Sequence, residues 1–585
     1  MNRILDTINS SKDLKNLSKN ELTRLCKEIR EQLLIYLSQT GGHVGSNLAM
    51  IETTVALHYL YDSPIDKIIF DVSHQCYTHK LLTDRKKAYI DPNQYTSVTG
   101  FTNPKESEHD IFAIGHTSTA ISLACGLAKA RDIKKEKYNI IAIVGDGALS
   151  GGEAFEGLNN AATFNSQMLI IINDNDMSIA ENHGGLYQNL KLLRKTEGKA
   201  ECNFFKSLGF DYYFVKNGNQ LYDLFDTFSI VKNIKKPVIV HICTKKGKGY
   251  ELAEKYQEDW HYMNPFHINT GTLIQQSNDN ETYENLTRDF LVEEMRKDSS
   301  IIAVTAGTPK IFGFNKQLRE EFSKQFVDVG IAEEHAIAFI SGIAKNGGKP
   351  IFGVSSSFLQ RTYDQLSQDL ALNHSPAVIL IYFSGISQGS QTHMGIFDIA
   401  LTRSIPELSY LAPTCQEEYL QMLKWGLEQT IGPVIIRVPG IYITNRDVQL
   451  LPDYHYVQYE IVNQGSQIAI ITLGNFLELG MKIKEELEKT KNIIPTLINP
   501  RFVNDYDEKT LNHLKSNHQL VITLEDGVID GGFGEKITRF YSDSDMKVLC
   551  FGAKKEFVDH KTIEEQYQRN HLTDQQIILD ILSIL

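Results

Sequence analysis

Two oxygen-bearing side chains at the ends of apolar runs are where this sequence could hold a cation. Asp146 stands between Gly145 and Gly147 at the end of NIIAIVGDG (139–147), and Asn175 closes QMLIIINDN (167–175), 29 positions further on. A hard ion such as Mg²⁺ takes oxygen ligands, and the ends of neighbouring strands in an α/β sheet are where such ligands converge, with a diphosphate completing the shell. Gly145 and Gly147 would let the backbone approach that anion closely. A lone Asp-Gly pair is usually an ordinary turn. What raises the specificity is the order GDG, a helical stretch GGEAFEGLNNAATF, then a second Ile-rich run closing on NDN.

The elements that must position these residues follow from the hydrophobic pattern. Both runs are rich in Ile and Val and alternate with longer helical stretches, as buried parallel strands do. The same rhythm recurs at SIIAVTAG (300–307), AVILIYFSG (377–385), SQIAIITLG (466–474) and QLVITLEDG (519–527). This predicts an α/β protein of three doubly wound domains over 1–271, 286–448 and 459–585, with boundaries where periodicity lapses. A chain of 585 residues is too long for a single core. Lys+Arg 59 against Asp+Glu 72, a net charge of -13, disfavours nucleic acid or an anionic membrane as the main partner. Neither a signal-like N-terminus nor an 18-residue apolar run is seen, so a cytoplasmic location is expected. Seven cysteines, scattered and without metal-ligand spacing, suit a reducing compartment and receive no chemical role.

GDG and NDN with their spacing resemble the thiamine diphosphate signature. The surrounding text is equally specific: GGHVGSNLAMIETTVALHY, DVSHQCYTHKLLT, GHTSTAIS, GDGALSGGEAFEGLN, NDNDMSIAEN, TKKGKGYELAEK, DVGIAEEHAIAF, FLQRTYDQ and QTHMGIFD. In this order, from about residue 36 to the C-terminus, they resemble the 1-deoxy-D-xylulose-5-phosphate synthase family of transketolase-like enzymes. The resemblance implies thiamine diphosphate and Mg²⁺ as cofactors. It places Asp146, Asn175 and Met177 at the metal, and His74, Gly115, His116, Thr117, Asp146, Gly147, Ala148, Asn175, Tyr250, Glu333 and Phe358 around the cofactor. Glu333 of IAEEH would be the cofactor-activating carboxylate, although acids in a first helical turn are ordinarily solvated. His43, His261 and His393 would face the reacting centre, where imidazole can exchange protons near neutral pH; Ser46, Arg361 and His393 would meet substrate. The lysines at 245, 246 and 248 read by default as a surface run.

The implied reaction joins pyruvate, with loss of carbon dioxide, to an aldehyde, in the family D-glyceraldehyde 3-phosphate, and the implied assembly is a homodimer. A transketolase would share cofactor and domain order, but FLQRTYDQ and QTHMGIFD argue against it. A non-catalytic paralogue would not need Asp146, Asn175, Glu333 and the three histidines intact. Several departures stand out. The span between NDNDMSIAENHGGLY and FFKSLGFDYY is much shorter than the family's. Phe383 and Gly440 also occupy positions where the family places arginines for the acceptor phosphate, Ser355 replaces a tyrosine, and the loop SGISQGSQTH is short and lacks an aspartate. Weakened or altered acceptor binding is expected from these, unless Arg361, Arg403 or Arg437 takes over.

Overall fold

The computed structural model describes residues 3–275, 282–388, 390–438, 443–559 and 561–585. All six Ile- and Val-rich runs are strands. The first sheet contains β1 (Lys67–Phe70), β2 (Ile140–Gly145), β3 (Met168–Asp174), β4 (Asp211–Val215) and β5 (Pro237–Cys243) in the spatial order β1-β2-β3-β5-β4, all parallel. Both faces are covered, which is why the runs are continuously apolar rather than alternating. Along β2, Ile141 and Ile143 face one apolar cluster while Ile140, Ala142 and Val144 face the other. The helices Ala120–Lys134 and Gly152–Ala161 supply the second of these layers.

The second sheet is also wholly parallel: β6 (Ile301–Thr305), β7 (Phe326–Asp328), β8 (Lys349–Ser355), β9 (Val378–Tyr382), β10 (Ser409–Leu411) and β11 (Val434–Arg437), in the order β10-β11-β9-β8-β6-β7. The third holds β12 (Glu460–Asn463), β13 (Gln467–Thr472), β14 (Thr496–Asn499), β15 (His518–Val528) and β16 (Lys547–Ala553), in the order β12-β14-β13-β15-β16, with only the edge strand β12 antiparallel.

One sheet falls inside each of the three predicted ranges, but the chain folds into two compact units, Met1–Asn278 with Gly330–Ala332 and Asp279–Val329 with Glu333–Leu585. The reason lies in the cores. Ile379 and Ile381 of β9 share one apolar cluster with Ile471 of β13 and Val521 of β15, so the second and third sheets are not separated by solvent. The expected boundary at 449–458 carries no regular structure, yet Leu451 and Tyr454 are buried in the core of the second sheet. In the first expected boundary, residues 276–281 lie outside the described residues. No helix among the described residues is long and apolar enough to cross a membrane.

Candidate active site

In the first unit, the register of β2 and β3 sets Gly145 opposite Asn173, and the Asp146 N–H donates to the Asn173 carbonyl at 3.0 Å. Asp146 and the Asn173–Asn175 stretch therefore emerge together at the C-terminal edge of the sheet. Asp146 is only 2% exposed; its Oδ2 accepts the Met177 N–H (3.1 Å) and Asn182 Nδ2 (2.9 Å). Burial, then the neighbouring Asp174, raises the Asp146 pKa well above the ordinary value, against the pull of Lys246 and Asn182. Asn175 Oδ1 is buried and accepts no hydrogen bond among the described residues. A Cβ at Gly145 would meet nothing within 4 Å, whereas at Gly147 it would strike Ser178 Oγ at 2.7 Å. Gly145 thus opens on space, and Gly147 is required by the close approach of Ser178. A bare amide oxygen, a carboxylate that burial leaves wanting a positive neighbour, and an open backbone edge together fit a cation held against an anionic group.

The surface reading of the lysine run holds at Lys245 but fails at Lys246. Lys246 is 2% exposed, its stem passes Gly45, and its Nζ donates to the Ser178 carbonyl at 2.6 Å. Burial brings its pKa down to about 8, opposed by Asp146. The short segment after NDN also attaches to this cradle. On its helix Gly185–Lys195, the Tyr187 hydroxyl donates to the Asp146 and Gly147 carbonyls (3.2 Å each), and Arg194 Nη1 donates to both Asp174 oxygens at 2.7 Å. Asp174, His241 and Cys243 lie close enough together to suggest a metal cluster. Asp174 is instead bound by Arg194 and by His241 Nε2 at 2.8 Å, and although burial raises its pKa, these partners hold it below the ordinary value.

Three of the predicted histidines meet in the same unit. Ring centroids lie 4.8 Å apart for His43 and His74, 5.5 Å for His43 and His261, and 5.4 Å for His74 and His261. His74 Nε2 is 3.0 Å from Ser46 Oγ. Asn47 Nδ2 donates to the carbonyls of His43 (2.7 Å) and His74 (2.8 Å), joining the two segments. Gly115 and Ala148 are buried, and His116 and Thr117 are half-buried on the loop before helix Ala120–Lys134. Tyr250 has other contacts: its hydroxyl donates to the Ile268 carbonyl at 2.7 Å and its ring packs on Trp260 and Phe266.

In the second unit, Glu333 opens helix Glu333–Lys345 and is 2% exposed. The solvated-acid alternative therefore fails. Burial pushes its pKa up to about 7, and Arg361, with Nη1 3.7 Å away, opposes the rise. Phe358 and His393 pack edge to face, 5.6 Å between ring centroids. Ser355 at the end of β8 pairs in register with Tyr382 of β9, and the next residue, Phe383, is 55% exposed with φ +55°. Arg437 is buried between Asp398 (2.8 Å) and Asp526, and Arg403 Nη1 donates to the Gly532 carbonyl at 2.7 Å. Arg437 is thus committed to two buried carboxylates, which corrects the expectation that it could replace a missing phosphate ligand, whereas half-buried Arg403 spends one N–H on Gly532. Gly440 lies outside the described residues.

The fold and two matching profiles define a thiamine diphosphate enzyme of the transketolase type: the transketolase pyrimidine binding domain profile matches residues 280–441 and the transketolase C-terminal domain profile residues 458–577. Residues 5–202 match the profile described as 1-deoxy-D-xylulose-5-phosphate synthase. Curated proteins of that description are similar over the whole length, that of Alkaliphilus oremlandii at 38% identity (99% of this chain, 98% of the relative) and that of Caldanaerobacter subterraneus at 37% (99% of each). The chain belongs to the 1-deoxy-D-xylulose-5-phosphate synthase family. A transketolase from Pichia stipitis aligns over 96% of this chain and 97% of its own at 15% identity, with a TM-score of 0.45.

Proposed function

We propose that this protein, with thiamine diphosphate and Mg²⁺, condenses pyruvate with D-glyceraldehyde 3-phosphate, releasing carbon dioxide. Two carbons from pyruvate and a five-carbon 1-deoxy sugar phosphate, the product in the relatives' name, together require a three-carbon aldehyde bearing phosphate. Whole-length similarity to such relatives favours this acceptor over the altered one expected from Phe383 and Gly440, and over a transketolase or a non-catalytic paralogue. The observation that carries the reading is the cradle in which Asp146 and the bare Oδ1 of Asn175 emerge at one sheet edge beside buried Lys246.

Thiamine diphosphate, when bound, supplies the carbon nucleophile and the electron sink for decarboxylation and carbon–carbon bond formation. Asp146, Asn175 and Met177 would hold the cation, and Gly147, Ala148 and Lys246 would meet the diphosphate. The Glu333 carboxylate, titrating near neutrality, would exchange a proton with the cofactor's aminopyrimidine. His43, His261 and His393 would trade protons with carbonyl and alkoxide oxygens of the substrates, with Ser46 and Arg361 orienting them. We further infer a cytoplasmic homodimer; light scattering that finds only monomer at micromolar concentration would count against the dimer.

The deciding assay supplies pyruvate with glyceraldehyde 3-phosphate, unphosphorylated aldehydes or pentose phosphates and follows carbon dioxide and product mass. Pyruvate-dependent turnover with a preference for glyceraldehyde 3-phosphate is expected. Ketol transfer between sugar phosphates without pyruvate would instead mark a transketolase, and cofactor binding without turnover a paralogue of another role.

A further inference from the structure

Strand β1 runs into a turn whose backbone is held in a disfavoured conformation directly ahead of His74. Val72 and Ser73 both have positive φ, +59° and +68°. The Ser73 N–H donates to the Asp71 carbonyl at 2.5 Å, closing a three-residue turn about Val72. A γ-turn of that hand is rare and strained, and a β-branched residue at positive φ is a genuine outlier. Such conformations persist only where the surroundings over-determine them, and they collect at functional sites.

The surroundings do over-determine this one. Asp71 is 1% exposed, and both its carboxylate oxygens accept main-chain N–H groups at the start of helix Ala120–Lys134, from Ser118 at 2.8 Å and Ala120 at 3.0 Å. Ser118, at φ +77°, donates its hydroxyl to the Ala148 carbonyl (2.8 Å), beside the Asp146 cradle. Ser73 Oγ donates to the Ile114 carbonyl at 2.6 Å and accepts the Thr102 N–H at 2.9 Å. One turn thereby couples the carbonyl-anchored His74, the loop carrying Gly115, His116 and Thr117, and the segment after Asp146.

We propose that the Asp71–Ser73 turn is a positioning device for the cofactor end of the first unit, with Asp71 and Val72 as positioning residues that act through His74 and the His116–Thr117 loop. The proposal rests on the cofactor reading above. A turn that served only to redirect the chain would be improved by glycine, which takes positive φ without a Cβ clash. A turn that holds a histidine in place by being constrained from both sides loses that precision when it is relaxed.

The test uses the full chain with Val72→Gly, Asp71→Ala and Asp71→Asn, measuring the melting temperature without cofactor, the Kd of thiamine diphosphate with Mg²⁺ by calorimetry, and kcat and KM. For Val72→Gly we expect melting unchanged or raised by a few degrees, but cofactor affinity about tenfold weaker and a lower kcat. Asp71→Asn, which keeps one acceptor oxygen, should lose less affinity than Asp71→Ala. The proposal is overturned by a Val72→Gly protein that melts no lower than the parent and binds cofactor as tightly. It is equally overturned by one in which melting temperature and affinity fall together, the pattern of a merely structural turn. A parent that itself binds no thiamine diphosphate overturns the cofactor reading, and this proposal with it.

Discussion

Asp146 in the first unit and Glu333 in the second are equally buried, each 2% exposed, and burial raises the pKa of both, yet their surroundings ask for different things. Around Asp146 the neighbours are oxygen-rich: Asp174 follows on the adjacent strand and Asn175 offers a bare carbonyl oxygen, with Lys246 and the Arg194 guanidinium on Asp174 as the nearby positive charges. Crowded oxygens make a further positive charge favourable, and a divalent cation would supply it. Around Glu333 a single guanidinium stands 3.7 Å off, and the acid titrates at about 7. A carboxyl poised between its two protonation states suits proton exchange. We propose that the oxygens crowded beside Asp146, and their scarcity beside Glu333, suit the first to a cation and the second to proton exchange.

If that contrast is right, the two acids fail differently when removed. Asp146→Ala should abolish retention of thiamine diphosphate through gel filtration and weaken its Kd in calorimetry by roughly a thousandfold, since taking away one partner of a buried charged site costs about 3–5 kcal/mol. A variant that binds the cofactor and Mg²⁺ like the parent erases the comparison. Glu333→Gln should keep Kd within a few fold of the parent while slowing hydrogen–deuterium exchange at the thiazolium carbon on the order of a hundredfold. Unchanged exchange removes Glu333 from that role. A third change sharpens the first cradle. Lys246→Met keeps the buried stem but deletes the charge, so diphosphate affinity should fall about 10- to 100-fold; an unaltered Kd would return this lysine to a structural duty on the Ser178 carbonyl.

What could be read from the residues was what repeats or pairs at fixed spacing. The strands were legible because both faces of parallel sheets are covered, which leaves continuous Ile and Val runs. The shared sheet edge of Asp146 and Asn175 was legible because each ends such a run. Lys246 was not: one buried lysine in KKGKGY has no pattern distinguishing it from its exposed neighbours until Gly45 is seen against its stem. Asp71 was hidden for a similar reason, because its partners Ser118 and Ala120 lie far along the chain. The division into two units was also out of reach, since it depends on apolar side chains of β9, β13 and β15 meeting in one cluster. Arg403 and Arg437 look like spare cations in sequence. Only the partners Asp398 and Asp526 show that Arg437 is committed.

The smallest expected effect, on stability, tests whether Glu333 is held by its surroundings as the comparison requires. Its folded pKa of about 7 lies above the ordinary 4.5. A raised carboxyl contributes stability that is fully present below pH 4.5 and is lost as the pH climbs through about 7, because the unfolded chain then gives up its proton more readily than the folded one. In the cofactor-free protein Glu333→Gln, neutral at that position throughout, should therefore lose less stability over that window than the parent, the raised acids Glu525 and Asp146 acting alike in both. The difference between them, followed by urea unfolding at pH 5 and pH 8, is expected to move in favour of the glutamine variant by about 1–2 kcal/mol, the lower end of what the shift allows at 1.36 kcal/mol per pKa unit. Adding thiamine diphosphate and Mg²⁺ should compress the pH dependence in the parent, since a bound aminopyrimidine gives the carboxyl a hydrogen-bond partner. A pH-independent difference without cofactor would mean that Arg361 pairs fully with an ionised Glu333, and Glu333 would then resemble an ordinary buried ion pair rather than a poised proton carrier.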